Sequence, residues 1–255
     1  MESRWLRRFT QTSDAELRLV CFPHAGGAAT AYVPLSRALA PAVDVLAVQY
    51  PGRQERRLEA PAASLTSLAE SVADELMTAM GTGVPYAFFG HSMGAAIAYE
   101  TALRIEELGG TMPVRLFLSG RGAPTPAPRG SDLVHDDAEL IEKIRSLGGT
   151  ATGVLDEPDL LEMVLPALRA DYGILGGYHW SPRPPLDTPF TVLVGDADPV
   201  VATADARAWL EHSTAQGEFH VLPGGHFYLD SRTAAVAEVI GAALRRVKSP
   251  SLPAR

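Results

Sequence analysis

The sequence predicts an α/β fold: a mostly parallel sheet with helices on both of its faces. Three observations carry that prediction. Short, nearly continuous apolar runs alternate with helical patterns, which is how strands buried on two faces read. The 255 residues are 46% hydrophobic, enough for one large core rather than two small ones. Finally, a serine set between glycines, Gly90-His91-Ser92-Met93-Gly94, joins an apolar run to a helical pattern.

Residues 1–15 are polar and charged, with Arg4, Arg7 and Arg8, and lack the apolar centre of a signal peptide. Strands are expected at 17–22, 43–49, 86–89 and 114–119, with helices at 31–39, 64–80 and 95–108 between them. The 64–80 helix carries Leu65, Leu68, Val72, Leu76 and Met80 at helical spacing, and Glu70, Asp74 and Glu75 on its other side. That stripe is core packing. From Gly122 to Pro189 the alternation stops. A Pro-rich crossing at 123–130 leads to helical patterns at 136–147 and 156–172, and the segment 178–185 leads back. The alternation resumes with strands at 190–194 and 218–222 and helices at 203–212 and 233–247. Residues 1–255 therefore read as one domain, with a helical insertion at about 123–188.

At a strand-to-helix junction, G-x-S-x-G is the nucleophile elbow of the α/β-hydrolase fold. The turn is tight, its small neighbours let strand and helix approach, and the Ser92 hydroxyl is lifted clear of the sheet. Helical insertions at this point of that fold commonly form a lid, by analogy of fold alone. Leu140, Ile144, Leu160, Leu161, Val164, Leu168 and Ile174 would then face the sheet, most of them as packing and some as chamber lining.

A serine hydroxyl needs a base to take its proton. In this fold the order along the chain is serine, acid, histidine. Of the seven histidines, His24 and His91 precede the serine, His135, His179 and His212 fall in helical or inserted segments, and His220 lies within a strand pattern. His226 follows the last strand in Pro223-Gly224-Gly225-His226, at the sheet edge that carries the elbow, and is the expected base. The stretch Gly195-Asp196-Ala197-Asp198-Pro199 ends the preceding strand. Asp198, deeper in the loop and fixed by Pro199, is the expected acid, while Asp196 is expected to cap the turn through its own backbone. The oxyanion needs two donors. These are expected from the backbone N–H of Met93 and that of Ala25 in the loop Phe22-Pro23-His24-Ala25-Gly26-Gly27. The same loop has neither G-x-G-x-x-G nor a P-loop lysine.

Other classes find little support. The net charge of −8 argues against general nucleic-acid binding. No apolar run is long enough to span a bilayer. The single Cys21 cannot form an intrachain disulfide and suits a reducing compartment. No H-E-x-x-H or cysteine cluster suggests a metal, and Asp136-Asp137 reads as a helix start. A cytoplasmic monomer without a cofactor or metal of its own is expected.

Beyond these residues the chain resembles the type II (external, editing) thioesterases that accompany modular polyketide synthases and nonribosomal peptide synthetases. The matching stretches are the loop at 22–27, Tyr50-Pro51-Gly52-Arg53-Gln54-Glu55-Arg56-Arg57, the elbow, Leu118-Ser119-Gly120-Arg121, Leu165-Pro166-Ala167-Leu168-Arg169-Ala170-Asp171, the Asp198 loop, and Gly225-His226-Phe227-Tyr228-Leu229. They span almost the whole chain, and the Pro-Gly-Arg and Leu-Arg-Ala-Asp stretches are the specific ones. The resemblance implies hydrolysis of acyl thioesters from the phosphopantetheine arm of acyl or peptidyl carrier proteins, clearing stalled or misprimed chains. It assigns Ser92 as nucleophile, His226 as base and Asp198 as its acid. A carboxylesterase acting on oxygen esters shares the same triad, and a non-catalytic carrier-binding scaffold is the reading from another class. Carriers are generally acidic, so Arg53, Arg56 and Arg57 are expected either to meet the carrier or its phosphate, or to pair with Glu55 and Glu59. Arg169 and Asp171 are expected to form a buried ion pair or to touch substrate.

Overall fold

The computed structural model describes residues 3–12, 15–80, 83–148, 153 and 157–248. Its centre is a seven-stranded sheet of β1 (Leu6–Arg8), β2 (Arg18–Phe22), β3 (Asp44–Val48), β4 (Tyr86–His91), β5 (Leu116–Ser119), β6 (Phe190–Gly195) and β7 (Glu218–Leu222). The strands lie in the order β1-β3-β2-β4-β5-β6-β7, and only β1 runs antiparallel to its neighbour. The chain first steps from β2 to β3, then returns to place β4 on the other side of β2. Such a reversal opens a crevice at the carboxyl ends of the two strands, where sites in open α/β sheets sit. The loops after β2 and β4 both lead into it.

Alternating strand side chains feed two layers. Val20 and Phe22 of β2 enter the layer containing Leu65, Leu68, Val72, Ile97 and Leu103, from α2 (Leu65–Ala79) and α3 (Met93–Glu107). Leu19 and Cys21 enter the opposite layer with Leu35 and Leu39 of α1 (Val33–Leu39) and Val236 and Ile240 of the C-terminal helix. The expected strands and the five expected flanking helices are present, within about two residues at most ends. The α2 stripe from Leu65 to Met80 is buried as its spacing requires. Residues 31–39 begin as a 3₁₀ turn, and 203–212 tighten after α6 (Thr203–Arg207) into another.

Two elements differ from the expectation. Strand β1 is unexpected because Leu-Arg-Arg is short and charged. Pairing Arg7 with Ala47, and Arg8 with the Asp44 carboxylate at 2.7 Å, turns those charges into a blunted sheet edge. The second surprise is α7 (Tyr228–Ser231), a single turn directly after the His226 loop, preceding α8 (Thr233–Lys248).

Between β5 and β6 lie α4 (Asp137–Leu147) and α5 (Pro158–Gly176). Asp136 caps α4, accepting the Glu139 N–H at 2.9 Å, so the acidic pair does begin a helix. The expected start of the second helix, Asp156, lies outside the described residues. Leu140, Ile144, Leu168 and Tyr172 form a small apolar cluster, with Leu161 and Val164 against it. Ile174 instead joins the main core, and Leu160 is exposed.

Candidate active site

Ser92 follows β4 with φ 55° and ψ −120°, a conformation that costs a non-glycine residue energy and that its surroundings impose. The glycines make the turn possible. A Cβ on Gly90 would lie 2.2 Å from Gly94 O, and one on Gly94 would lie 1.9 Å from Phe22 O. The Ser92 N–H donates to Ser119 O at 2.8 Å, fixing the elbow to β5.

His226 and Asp198 meet Ser92 there. His226 Nε2 is 2.9 Å from Ser92 Oγ, and His226 Nδ1 is 2.8 Å from Asp198 Oδ2. A carboxylate only accepts, so Nδ1 carries the proton and Nε2 is left to accept the Ser92 O–H. Asp198 is held in turn: its Oδ1 accepts the N–H groups of Val200 and Val201 at 2.9 and 3.1 Å. Its side chain and that of His226 are almost fully buried. Asp196 does something other than cap its own turn. Its Oδ1 accepts the Gly224 N–H at 2.9 Å, tying the β6 loop to the histidine loop.

A second ring system supports the first. His91 is fully buried, its Nδ1 2.8 Å from Ser119 Oγ, which hydrogen-bonds the Tyr228 hydroxyl. The His91 ring lies 5.3 Å from that of His226. His24 meets His91 and Phe227 edge-on, and the His91 and Phe227 rings are tilted against each other. Desolvation, reinforced by His226, lowers the His24 pKa from 6.5 to about 4 and drives His91 well below its usual range, so both rings are neutral at pH 7. Chain order alone had set these two aside, and adjacency to the motifs was the only sequence signal for them.

Ala25 and Ser92 border one small cavity of about 130 Å³, closed by Ile144, Val164, Leu168 and Tyr172. Met93 is wholly buried at the start of α3. Gly26 adopts φ +72°, and the Gly27 N–H donates to His24 O at 2.9 Å, which closes a tight turn around Ala25. A wider mouth of about 540 Å³ adjoins the cavity and is bordered by Arg53, Gln54, Arg57 and Met163.

The charged residues sort differently from expectation. Arg56 pairs with Glu59 at 2.6 Å, donates to Gln49 O and lies over the Trp5 ring, so it is structural. Arg53 is buried against Asp171 of α5. Arg57 is exposed at the mouth, and among the described residues no ion pair or side-chain hydrogen bond holds it. Arg169 and Asp171 do not pair with each other. Arg169 reaches Asp137 at the surface, whereas Asp171 accepts from Arg53 and, at 2.7 Å, from the Gly26 N–H. Burial raises the Asp171 pKa above the usual carboxylate value, against the pull of Arg53.

Among the described residues, no group of three or more His, Cys, Asp or Glu could hold a metal ion, and no helix is long and apolar enough to cross a membrane. Residues 17–244 match the family described as "Thioesterase domain". The chain is 41% identical over 242 residues to the "Probable cadicidin biosynthesis thioesterase" of Streptomyces griseus, covering 95% of this chain and 66% of that one. It is 42% identical over 230 residues to "Thioesterase PikA5" of Streptomyces venezuelae, covering 89% of this chain and 81% of the other. Among solved structures it resembles the type II thioesterase BorB from the borrelidin biosynthetic cluster, with TM-score 0.86, 40% identity, and coverage of 95% of this chain and 98% of that one.

Proposed function

The chain belongs to the thioesterase family, and from that premise we propose that it hydrolyses acyl thioesters held on the phosphopantetheine arm of carrier proteins, editing a polyketide or nonribosomal peptide synthase. The observation that carries this reading is the Asp198–His226–Ser92 chain of contacts, 2.8 and 2.9 Å long, opening on an apolar cavity.

His226 Nε2 takes the Ser92 proton as Oγ attacks the thioester carbonyl. The N–H groups of Met93 and Ala25 receive the oxyanion. The C–S bond then breaks, and the His226 proton passes to the departing thiolate, leaving an acyl-Ser92 ester. A water gives its proton to His226 and attacks that ester. The acid departs, and the proton returns to Ser92. A space of about 30 Å³ bordered by Ser92, His226, Arg129 and Lys143 is large enough for one water molecule. Asp198 keeps the His226 proton on Nδ1 throughout and stabilises the imidazolium.

The α4–α5 segment serves as the lid, and the cavity beneath it takes the acyl chain. The mouth takes the pantetheine arm, with Arg57 at its rim to meet the phosphate. The phosphopantetheine belongs to the carrier, so the protein needs no cofactor or metal of its own. It works as a monomer in the cytoplasm, without nucleic acid or membrane.

An oxygen-ester hydrolase would use the same triad. Turnover of a short acyl N-acetylcysteamine thioester against the matched oxygen ester separates the two readings. The thioester is expected to be preferred, and an ester preference would overturn the assignment.

A further inference from the structure

Two side chains of the lid helix, Leu168 and Asp171, meet the loop after β2 at Gly26. Leu168 of α5 sits so close to Gly26 that a Cβ there would lie 2.3 Å from Leu168 Cδ2. One turn further, Asp171 accepts the Gly26 N–H at 2.7 Å through Oδ2, and the same carboxylate is clamped by Arg53 from the loop after β3. All of this is interior: Asp171 is 4% and Arg53 7% exposed. Arg53 also donates to Pro51 O at 2.8 Å, which anchors it from behind. The catalytic steps above make no use of either residue, though both are buried and charged.

Taking two charges out of water is costly, and a buried ion pair is weak evidence for stability. What this pair does geometrically is specific. The Gly26 N–H belongs to the peptide that follows Ala25. Holding it, together with the Gly27-to-His24 hydrogen bond, fixes the backbone on the far side of Ala25. We infer that Asp171, clamped by Arg53, is a positioning residue for acyl transfer: by accepting the Gly26 N–H it sets the loop whose Ala25 amide receives the oxyanion, and so makes that loop's geometry depend on the seating of the lid helix. Misplacing a group by about 1 Å can cost about 100-fold in rate, and a donor to a developing charge is such a group. The carboxylate therefore acts on the transition state and leaves substrate binding alone. This rests on the acyl-transfer reading of Ser92.

The test separates positioning from mere structure. Asp171→Asn keeps an acceptor for the Gly26 N–H but loses the ion pair, and Asp171→Leu loses both. The double variant Arg53→Met/Asp171→Leu replaces the pair by apolar groups and is expected to fold well, yet it still lacks the acceptor. Each full-length variant is assayed with a short acyl N-acetylcysteamine thioester and with an alkyl trifluoromethyl ketone, whose hemiketal on Ser92 places an oxyanion in the same hole. In Asp171→Leu and in the double variant, kcat is expected to fall about 10- to 100-fold, with KM within about threefold and ketone affinity weakened by the same factor as kcat. Asp171→Asn is expected to stay within about fivefold of wild type on both readouts. Should Asp171→Leu fail to fold, the double variant decides. Wild-type kcat and ketone affinity in a folded variant without the acceptor would overturn the inference, as would equal losses in the Asn and Leu variants. A wild-type protein that binds the ketone but leaves thioesters intact would instead overturn the thioesterase reading, and the ketone affinities would still judge the role of Asp171.

Discussion

Ser92 holds φ 55° in a turn where Gly90 and Gly94 leave no room for a Cβ, so the elbow is sensitive to single atoms. Gly94→Ala would place a Cβ 1.9 Å from Phe22 O, backbone against backbone, and is expected to cost at least about 1–3 kcal/mol in urea unfolding. Asp198→Asn leaves the shape but frees the His226 tautomer, and kcat is expected to drop about 10⁴-fold at nearly unchanged stability, by analogy with Ser-His-Asp hydrolases. The two desolvated imidazoles, His24 and His91, set a pH dependence of their own. The His24 pKa falls from 6.5 to about 4, and that of His91 moves the same way, so between those pH values the unfolded chain binds protons that the folded chain does not. These rings therefore contribute a stability that is complete above pH 6.5 and is lost as pH falls toward 4. Thermal melts from pH 7 to 4.5 are expected to show a falling Tm, with a shallower fall in a folded His24→Asn variant. At this scale the sequence was readable where the fold fixes chain order: serine, acid, histidine. It was not readable for Asp196, because an aspartate that ends a strand caps its own turn or a neighbouring loop with equal ease.

Helix α2 shows why most elements could be read in advance. Leu65, Leu68, Val72 and Leu76 recur at helical spacing and are all buried. Strand β1 could not be, since its pairing depends on a partner, β3, that the local sequence does not mention. For α4 and α5 the apolar pattern showed helices with a buried face but not which residues reach a chamber. The fold splits them: Ile144, Val164 and Leu168 line the cavity beside Ser92, Leu140 packs behind it, and Ile174 belongs to the main core. A cavity of about 130 Å³ suits a short acyl chain. Ile144→Ala enlarges it without touching Gly26 or the triad. Such a variant is expected to shift kcat/KM toward longer acyl thioesters by about fourfold for each added methylene it can bury, at about 0.8 kcal/mol per methylene. A chain-length series of N-acetylcysteamine thioesters measures this, and an unchanged profile would remove Ile144 from the chamber.

Over the whole molecule, Arg53 and Asp171 meet across 118 positions, and only the folded chain brings together the stretches that carry them. The same closure decides which of three clustered arginines is available. Arg53 and Arg56 are consumed internally and Arg57 is left at the mouth. Because the protein carries a net charge of −8, local positive charge matters for an acidic partner. Arg57→Glu is expected to raise KM several-fold for an acyl carrier protein and to leave the N-acetylcysteamine thioester unaffected. Equal effects on both would exclude a phosphate contact. The proposed activity requires that Ser92 cut a carrier-bound thioester. Intact-mass spectrometry of an acylated carrier protein incubated with the enzyme tests it most directly. The wild type is predicted to return the carrier to its free phosphopantetheine mass and release the acid, while Ser92→Ala leaves the acyl group in place. A carrier that stays acylated with wild type, or is stripped equally fast by Ser92→Ala, would rule out thioester cleavage through Ser92.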